Sequence, residues 1–361
     1  MSGHDAAHTL KSAFPGPSRA NVSIQTRWGF VNNTFHQSTP VVGSNGIVYA
    51  VSSDGSGVVV ALNGSTGSLL WLIKTPLGCA RTPLSAGTQL CAPVLSRDEK
   101  VLFVSGGPFF ALRTRDGGVL WELSLSAQTV SAPTRGPDGT LFVATNTSLT
   151  AVRPTAKRGY VLWELPLGGA ILGAPAVSGT TIVVGVSGTN ALTAADVATG
   201  AQLWKEALYY IMTSSPVISH GLVIIGDGYT VHASNLSTGA PVWVRDTAMY
   251  TAYSSPAVYS NHVFIGNGNG FLFALEASTG SVVWQTSLEA GWVVSAPSVG
   301  SSGVVYGGTD SARLAALDAE TGALLWYVHL DILSNSPGTP VIDGTGALIV
   351  GTSTGLFALG Q

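Results

Sequence analysis

The sequence has 361 residues, of which 45% are hydrophobic, 45 are glycine and only 10% are charged (16 Lys and Arg against 19 Asp and Glu). Soluble domains usually carry about a quarter charged residues, so this chain is unusually neutral. It contains no apolar run of the roughly 20 residues that a membrane-spanning helix needs, and its Val, Leu, Ile and aromatic content is the opposite of a disordered composition. The formal net charge of −3 gives no basic field, so nucleic acid is not an expected partner. We therefore expect a large β-rich globular protein with a neutral surface.

The first 22 residues lie outside the repeat described below, and we expect them to form an N-terminal arm. They show no apolar core after a charged start, so we predict neither a signal peptide nor a lipidation site there. His4 and His8 have the spacing of one helical turn, which suits a metal, but no third ligand accompanies them. A solvated arm is the favoured interpretation.

The informative feature is an internal repeat of about 42 residues. Seven tryptophans recur at this period, each with a glycine four residues earlier, and in five cases that glycine follows a threonine, as in ATGAQLW at 198–204. A proline after a small residue marks a second position, which occurs eight times. The eighth tryptophan, Trp28, stands near the N-terminus, while the C-terminal stretch 339–361 has the front of a repeat and no Gly-Trp part. Seven whole repeats and one split between the two ends make eight. The repeat tryptophans are Trp28, Trp71, Trp121, Trp163, Trp204, Trp243, Trp284 and Trp326.

Each repeat contains four short apolar runs separated by glycine-rich turns, which is the period of a β-propeller blade. The predicted fold is all-β: an eight-bladed propeller over residues 23–361, with the last blade closed by an N-terminal strand. We expect the glycine before each tryptophan to adopt a positive φ in a tight turn. Polar residues opening these turns should hydrogen-bond the turn backbone, and each tryptophan should cover the seam between two blades. The turn-opening residues are Asn63, Asp196, Asn235 and Asp318.

Blocks such as LFALEASTGSVVW at 272–284 resemble the PQQ-like repeat, which is named after the quinoprotein alcohol dehydrogenases and shared with the bacterial outer-membrane assembly-factor propeller. The resemblance covers residues 24 to 361. It implies the propeller fold, but it includes both enzymes and non-catalytic scaffolds.

The dehydrogenases of this family hold their quinone with adjacent cysteines, a stacking Trp, an Arg and a calcium ion. Here Cys79 and Cys91 are twelve positions apart, and no cluster of Asp and Glu offers the six to eight oxygens that calcium needs. The GNGNG string at 266–270 lacks the strand-to-helix context of a phosphate loop. The sequence therefore predicts no catalytic residues, no cofactor and no metal, with a quinone- and calcium-dependent dehydrogenase as the rival class.

An insertion at 77–93 contains both cysteines, and its natural interpretation is a Cys79–Cys91 disulfide, which favours an extracytoplasmic compartment. Two reduced, buried thiols are the alternative. Five Asn-x-Ser/Thr sequons add glycosylation candidates if the chain is secreted. They stand at Asn21, Asn32, Asn63, Asn146 and Asn235.

The loops from each tryptophan to the next proline should share one face of the disc, and several carry large apolar residues. These form a candidate interface, unless they are strand ends that face the blade interior. The candidates are Phe35, Tyr209, Tyr210, Ile211, Met212, Met249, Tyr250, Tyr253, Trp292, Ile332 and Leu333, with Ile171, Leu172 and Val293 beside them.

Together these features predict a non-catalytic structural or interaction propeller, extracellular or at the cell surface, with the periplasm as the alternative. Its expected partner is a second copy of itself, in stacked propellers or a filament. The alternatives are a different protein, as in the assembly factors, or a glycan bound by loop aromatics such as Trp292.

Overall fold

A computed structural model of the chain describes residues 12, 14–17, 24–31, 35, 38–75, 92–210, 214–248, 251, 254–289, 291–293, 295–330 and 338–360. These residues form 32 β-strands in eight antiparallel four-stranded sheets, and no helix occurs among them. The predicted eight-bladed propeller is confirmed.

The strands follow chain order within each blade. Blade 1 contains β2 (Val41–Val42), β3 (Ile47–Val51), β4 (Val58–Asn63) and β5 (Leu69–Lys74). Blade 2 contains β6 (Val94–Leu95), β7 (Val101–Ser105), β8 (Phe109–Arg113) and β9 (Val119–Leu123). Blade 3 contains β10 (Thr134–Arg135), β11 (Leu141–Ala144), β12 (Ser148–Pro154) and β13 (Gly159–Pro166). Blade 4 contains β14 (Ala176–Ser178), β15 (Thr181–Val186), β16 (Ala191–Asp196) and β17 (Gln202–Ala207).

Blade 5 contains β18 (Val217–Ser219), β19 (Leu222–Asp227), β20 (Thr230–Asn235) and β21 (Pro241–Asp246). Blade 6 contains β22 (Ala257–Tyr259), β23 (His262–Gly266), β24 (Phe271–Glu276) and β25 (Val282–Ser287). Blade 7 contains β26 (Ser298–Val299), β27 (Val304–Gly308), β28 (Arg313–Asp318) and β29 (Leu324–His329). Blade 8 contains β30 (Val341–Ile342), β31 (Leu348–Gly351), β32 (Gly355–Gly360) and the N-terminal strand β1 (Gln25–Val31).

Blade 8 joins the two ends of the chain. Strand β1 pairs antiparallel with β32, from Gln25 opposite Gly360 to Val31 opposite Gly355. Because β1 takes the outer position of this sheet, blade 8 has the same four strands as the others, and no sheet is left without its fourth strand. The predicted closure by an N-terminal strand is therefore present.

The hydrophobic core lies in the seams between blades. One buried cluster combines Phe264 and Trp284 of blade 6 with Val305 of blade 7, and another joins Trp28 of blade 8 to Val48 of blade 1. A flat four-stranded sheet cannot bury both of its faces alone, so each blade depends on its neighbours.

The up-and-down strand order defines three surfaces. First strands of neighbouring blades contact each other around the centre, while fourth strands are the most exposed and form the outer rim. Second-to-third hairpins and blade-to-blade connections emerge on one side, called the loop face here. The first-to-second and third-to-fourth turns emerge on the opposite side, called the turn face.

Candidate interaction surfaces

Every outer strand places one tryptophan indole across the seam to the next blade. Trp204 of blade 4 shows the geometry: its Nε1 donates a 2.9 Å hydrogen bond to the carbonyl of Leu236, in the third turn of blade 5. Seven indoles donate in this way to a third-to-fourth turn, namely Trp28 to Gly64, Trp71 to Thr114, Trp121 to Thr155, Trp163 to Val197, Trp204 to Leu236, Trp243 to Ala277 and Trp284 to Ala319. The eighth, Trp326, donates to Pro17 of the N-terminal arm.

The turn glycine packs directly on the indole of the preceding blade. A Cβ added to Gly239 would lie 2.6 Å from the ring of Trp204, and the φ of Gly239 is +71°. Six of the seven predicted turn glycines have positive φ, at Gly67, Gly117, Gly200, Gly239, Gly280 and Gly322.

The expectation of positive φ is wrong for Gly159. This residue begins strand β13 with extended backbone, because the turn that precedes it is two residues longer than the others. A side chain is still disfavoured there, since a Cβ would lie 3.1 Å from Trp121.

Side-chain oxygens cap these turns as the sequence predicts. Asn235 Oδ1 accepts hydrogen bonds from the amides of Ser237 and Thr238, and Asn63 does the same for its own turn. In two other turns, a carboxylate oxygen of Asp196 or Asp318 accepts the corresponding hydrogen bonds from the backbone amides two and three residues later.

The two carboxylate caps have lowered pKa values. For Asp196, the hydroxyl and amide of Thr199 hold the pKa below its ordinary value. For Asp318, burial acts to raise the pKa, but hydrogen bonds from Thr321 and Glu320 outweigh it and the net shift is downward.

The first strands of the eight blades, called the inner ring here, carry one charged residue in the part of the chain that the structure describes. Serine hydroxyls next to the first strands form hydrogen bonds between neighbouring blades. Ser215 Oγ accepts from the backbone amide of Ala174, and Ser255 Oγ accepts from the backbone amide of Ser215. Arg135 is the single charged residue in the described first strands, and its guanidinium donates to the carbonyl of Leu95. Among the residues that the structure describes, no three His, Cys, Asp or Glu side chains lie close enough to hold a metal ion.

Among the described residues, the inner ring does not supply the donors that a calcium ion beside a quinone would need. Calcium coordination needs several converging carboxylate or carbonyl oxygens, and the described inner ring offers hydroxyls, alanines and one internally bonded arginine. The adjacent cysteines of the dehydrogenases have no counterpart in this sequence.

A buried carboxylate presents two tyrosines on the loop face. Asp227, which is 3% exposed, accepts hydrogen bonds from the backbone amides of Tyr209 and Tyr210. This contact ties the loop after β17 to the hairpin after β19. Tyr209 is 79% exposed, and Tyr210 of the same loop and Tyr229 of the hairpin are also exposed. These three residues, from loops of two blades, are called the aromatic platform here.

Trp292 is held on the same face by a related contact. Its amide donates to Asp310 Oδ1 at 2.8 Å, and the amide of Asp310 donates back to the carbonyl of Trp292 at 2.9 Å. The indole itself remains exposed.

Other residues of the predicted interface are placed differently. Phe35 is 0% exposed and packs between blades 8 and 1, so its assignment to the surface is wrong: it fills the seam beside Phe30. Ile171, Leu172 and Val293 are also buried, as expected for strand ends that face the interior. The remaining candidates, Ile211, Met212, Met249, Tyr250, Tyr253, Ile332 and Leu333, lie outside the described residues.

Most exposed apolar surface lies on the rim. Of eighteen exposed large hydrophobic side chains in the described part of the chain, fourteen are on outer strands and four are on the loop face. All eight blades contribute to this apolar rim, which consists of Val31, Leu69, Leu70, Val119, Tyr160, Val161, Leu162, Leu203, Val242, Val244, Val282, Val283, Leu324 and Tyr327. Sequence reasoning missed it, although apolar residues directly before seven of the eight tryptophans carried part of the signal.

The predicted covalent features are only partly described. Cys79 and Cys91 lie outside the described residues, as do Asn21 and Asn32. Asn146 is exposed on the loop face, whereas Asn63 and Asn235 are half-buried turn caps.

The closed ring of eight four-stranded blades, with an indole contact across every seam, defines a PQQ-like repeat propeller. A family profile described as outer membrane protein assembly factor BamB matches residues 25–136, 111–252 and 230–360, so the chain belongs to that family. A search of curated protein sequences finds no match. No helix in the described residues is long and apolar enough to cross a membrane.

Solved structures with this fold include several kinds of protein. BamB from Moraxella catarrhalis superposes with a TM-score of 0.71 at 15% identity, over 94% of this chain and 97% of that one. Quinohemoprotein alcohol dehydrogenase from Comamonas testosteroni gives a TM-score of 0.77 at 14% identity, over 99% and 80%. The computationally designed Ika8 protein gives 0.69 at 16% identity, over 93% and 99%. At these identities the likeness establishes the fold alone.

Proposed function

We propose that this chain is a non-catalytic interaction propeller that associates with copies of itself. The observation that carries the proposal is the apolar rim, on which all eight outer strands expose large hydrophobic side chains beside unpaired strand edges. Apolar side chains on open edges favour association, and charged residues on such edges normally oppose it. The outer strands carry eight charged residues against fourteen exposed large hydrophobic ones, so charge opposes association only in part.

The test is the assembly state of the purified chain. We expect light scattering to show a mass that rises with concentration. The paired substitutions Val161→Glu and Leu203→Lys should shift the chain toward monomer without changing its net charge. Gln202→Lys with Gln285→Glu, at exposed polar positions of two outer strands, is the matched control and should behave like the parent. A monodisperse parent at the highest attainable concentration would overturn the proposal.

A second candidate is a scaffold for a different protein, favoured by membership in a family named for an outer-membrane assembly factor. Its surface would be the loop face, where Tyr209, Tyr210 and Trp292 are exposed. Tyr209→Ser with Trp292→Ser should remove such binding and leave rim association intact. A glycan array with the same variants separates a sugar ligand from a protein one.

Catalysis with a quinone is the rival that the inner ring disfavours. Titration of the purified chain with pyrroloquinoline quinone and calcium should give neither an absorbance change nor a thermal shift. A saturable response in either measurement would favour the dehydrogenase class instead.

We place the protein outside the cytoplasm, in the extracellular space, at the cell surface or in the periplasm. The predicted Cys79–Cys91 disulfide and the five sequons support this location, as does the outer-membrane name of the family. Mass spectrometry of non-reduced peptides from native material tests the disulfide. The same digest, with and without glycosidase, tests sequon occupancy.

A further inference from the structure

One of the eight seams is completed by a segment that does not belong to a blade. In seven seams the acceptor for the indole lies in a covalent hairpin turn, but blade 8 has no such turn, because its third and fourth strands are β32 and β1 from opposite ends of the chain. The carbonyl of Pro17 takes the vacant position and accepts from Trp326 Nε1 at 3.0 Å.

The contact resembles that of a true turn. In blade 1, Trp71 donates to the carbonyl of Thr114, and Tyr49 packs against Trp71 at a tilted angle with ring centroids 5.9 Å apart. At the arm, Tyr306 packs against Trp326 in the same tilted way, with ring centroids 5.9 Å apart, and its hydroxyl donates to the carbonyl of Pro17 at 3.2 Å. The arm therefore mimics a turn of the next blade.

The arm occupies a shaped groove between blades 7 and 8. The amide of Ser12 donates to Val299 at 2.7 Å, and the amide of Ser301 donates to the carbonyl of Phe14 at 3.1 Å. The ring of Phe14 packs against the cluster that contains Ile342 and Tyr306. Gly16 leaves no room for a side chain, since a Cβ there would lie 2.1 Å from the Tyr306 hydroxyl.

We propose that this groove is a peptide-binding site that takes the Ser12–Pro17 segment of a second copy, so that propellers are linked by exchanged arms. The described residues of the segment make their contacts without being part of a sheet, and the same residues of a second copy could make the same contacts. Such an exchange would conserve these contacts. Pro15 and Pro17 restrict the free segment and reduce the entropy lost on docking. This proposal rests on the self-association proposed above.

The first experiment tests the groove itself. A fluorescein-labelled peptide of residues 10–19 is titrated onto a chain lacking residues 1–19, with anisotropy as the readout. We expect saturable binding, and about tenfold or weaker affinity for a peptide with Gly16→Val, because the added side chain overlaps Tyr306. Absence of binding by a folded, arm-less chain overturns the proposal.

A variant with the arm retained covers the case in which the arm-less chain does not fold. In the full chain, Gly16→Val should displace its own arm and leave the groove open to the labelled parent peptide. The parent chain should bind the labelled peptide more weakly than the Gly16→Val chain does, because the parent's own residues 12–17 compete for the groove. Equal binding to the two chains counts against the proposal.

The second experiment tests the occupant. Two differently tagged preparations of the Val161→Glu, Leu203→Lys chain are mixed at high concentration and recovered through one tag. We expect co-recovery, and its loss when Gly16→Val is added. If the groove binds the peptide but the two tagged chains are not recovered together, the proposed exchange between copies is overturned and association through the rim still stands. If the tagged chains are recovered together and the rim substitutions leave the association of the parent unchanged, only the rim proposal is overturned.

Discussion

Gly239 of blade 5 packs directly against the indole ring of Trp204, across the seam to blade 4. The glycine φ is +71°, and a Cβ on it would come within 2.6 Å of the indole ring. Two separate requirements thus select glycine at this position: a left-handed backbone and the close approach of an aromatic ring. The same pair recurs at five other seams, with the ring of the preceding blade at 2.4 to 2.8 Å.

The two requirements can be separated by two alanine substitutions. Gly239→Ala should lower the free energy of unfolding by about 2–4 kcal/mol, because strain in φ adds to overpacking against Trp204. Gly221→Ala is the matched control, since Gly221 has a φ of +75° but no atom within 4 Å of an added Cβ. It should cost only about 1 kcal/mol. Urea unfolding followed by circular dichroism measures both, and equal losses would refute the packing contribution.

The indole hydrogen bond makes its own contribution. Trp243→Phe retains an aromatic ring but removes the 2.9 Å donor to the carbonyl of Ala277. We expect a loss of about 1–3 kcal/mol, because a buried carbonyl is left unpaired and volume is lost. Leu325→Ala, on an outer strand but half-buried, serves as a comparison for volume alone. Unchanged stability of Trp243→Phe in urea would show that water replaces the indole.

The carboxylate caps predict a pH dependence. Asp196 and Asp318 have pKa values below the ordinary value, so the unfolded chain binds protons more readily than the folded one. The stability they supply is present above the unfolded pKa, near 4, and is lost as the pH falls through their lower folded values. The Asp196→Asn, Asp318→Asn chain should therefore lose less stability between about pH 5 and pH 2. Asn63 and Asn235 show that the amide can serve as the cap. Parallel unfolding curves for the two chains against pH would contradict this prediction.

The repeat made the ring predictable, because period, glycine and tryptophan are local signals that recur seven times. Gly159 departed from its expected conformation because a two-residue extension of one turn is compatible with the same Gly-to-Trp spacing. Phe35 was misplaced because its neighbours in the fold, Phe30 and Thr352, come from the two ends of the chain.

The surfaces were harder to predict than the ring. In an outer strand, Trp faces the next blade while the residues beside it face solvent. A run such as LLW at 69–71 is apolar throughout, so the sequence alone predicts a fully buried strand there. The split of blade 8 between the two chain ends followed from the repeat, but the docking of the arm at the place of the missing turn did not, because residues 12–17 carry no repeat signal. The aromatic platform depends on Asp227, which lies about twenty residues from the tyrosines it holds.

Asp227 therefore offers the clearest test of the loop face. Asp227→Ala removes the carboxylate that accepts hydrogen bonds from the backbone amides of Tyr209 and Tyr210, in a partly buried loop. We expect the fold to persist, with a loss of about 2–3 kcal/mol, and the two amides to exchange with deuterium much faster. Asp310→Ala is the internal comparison: it should release the amide of Trp292 and leave Tyr209 protected, because the two contacts lie in different blades. Hydrogen exchange read by mass spectrometry distinguishes the loops, and unaltered exchange at Tyr209 in Asp227→Ala would mean that other contacts hold the platform.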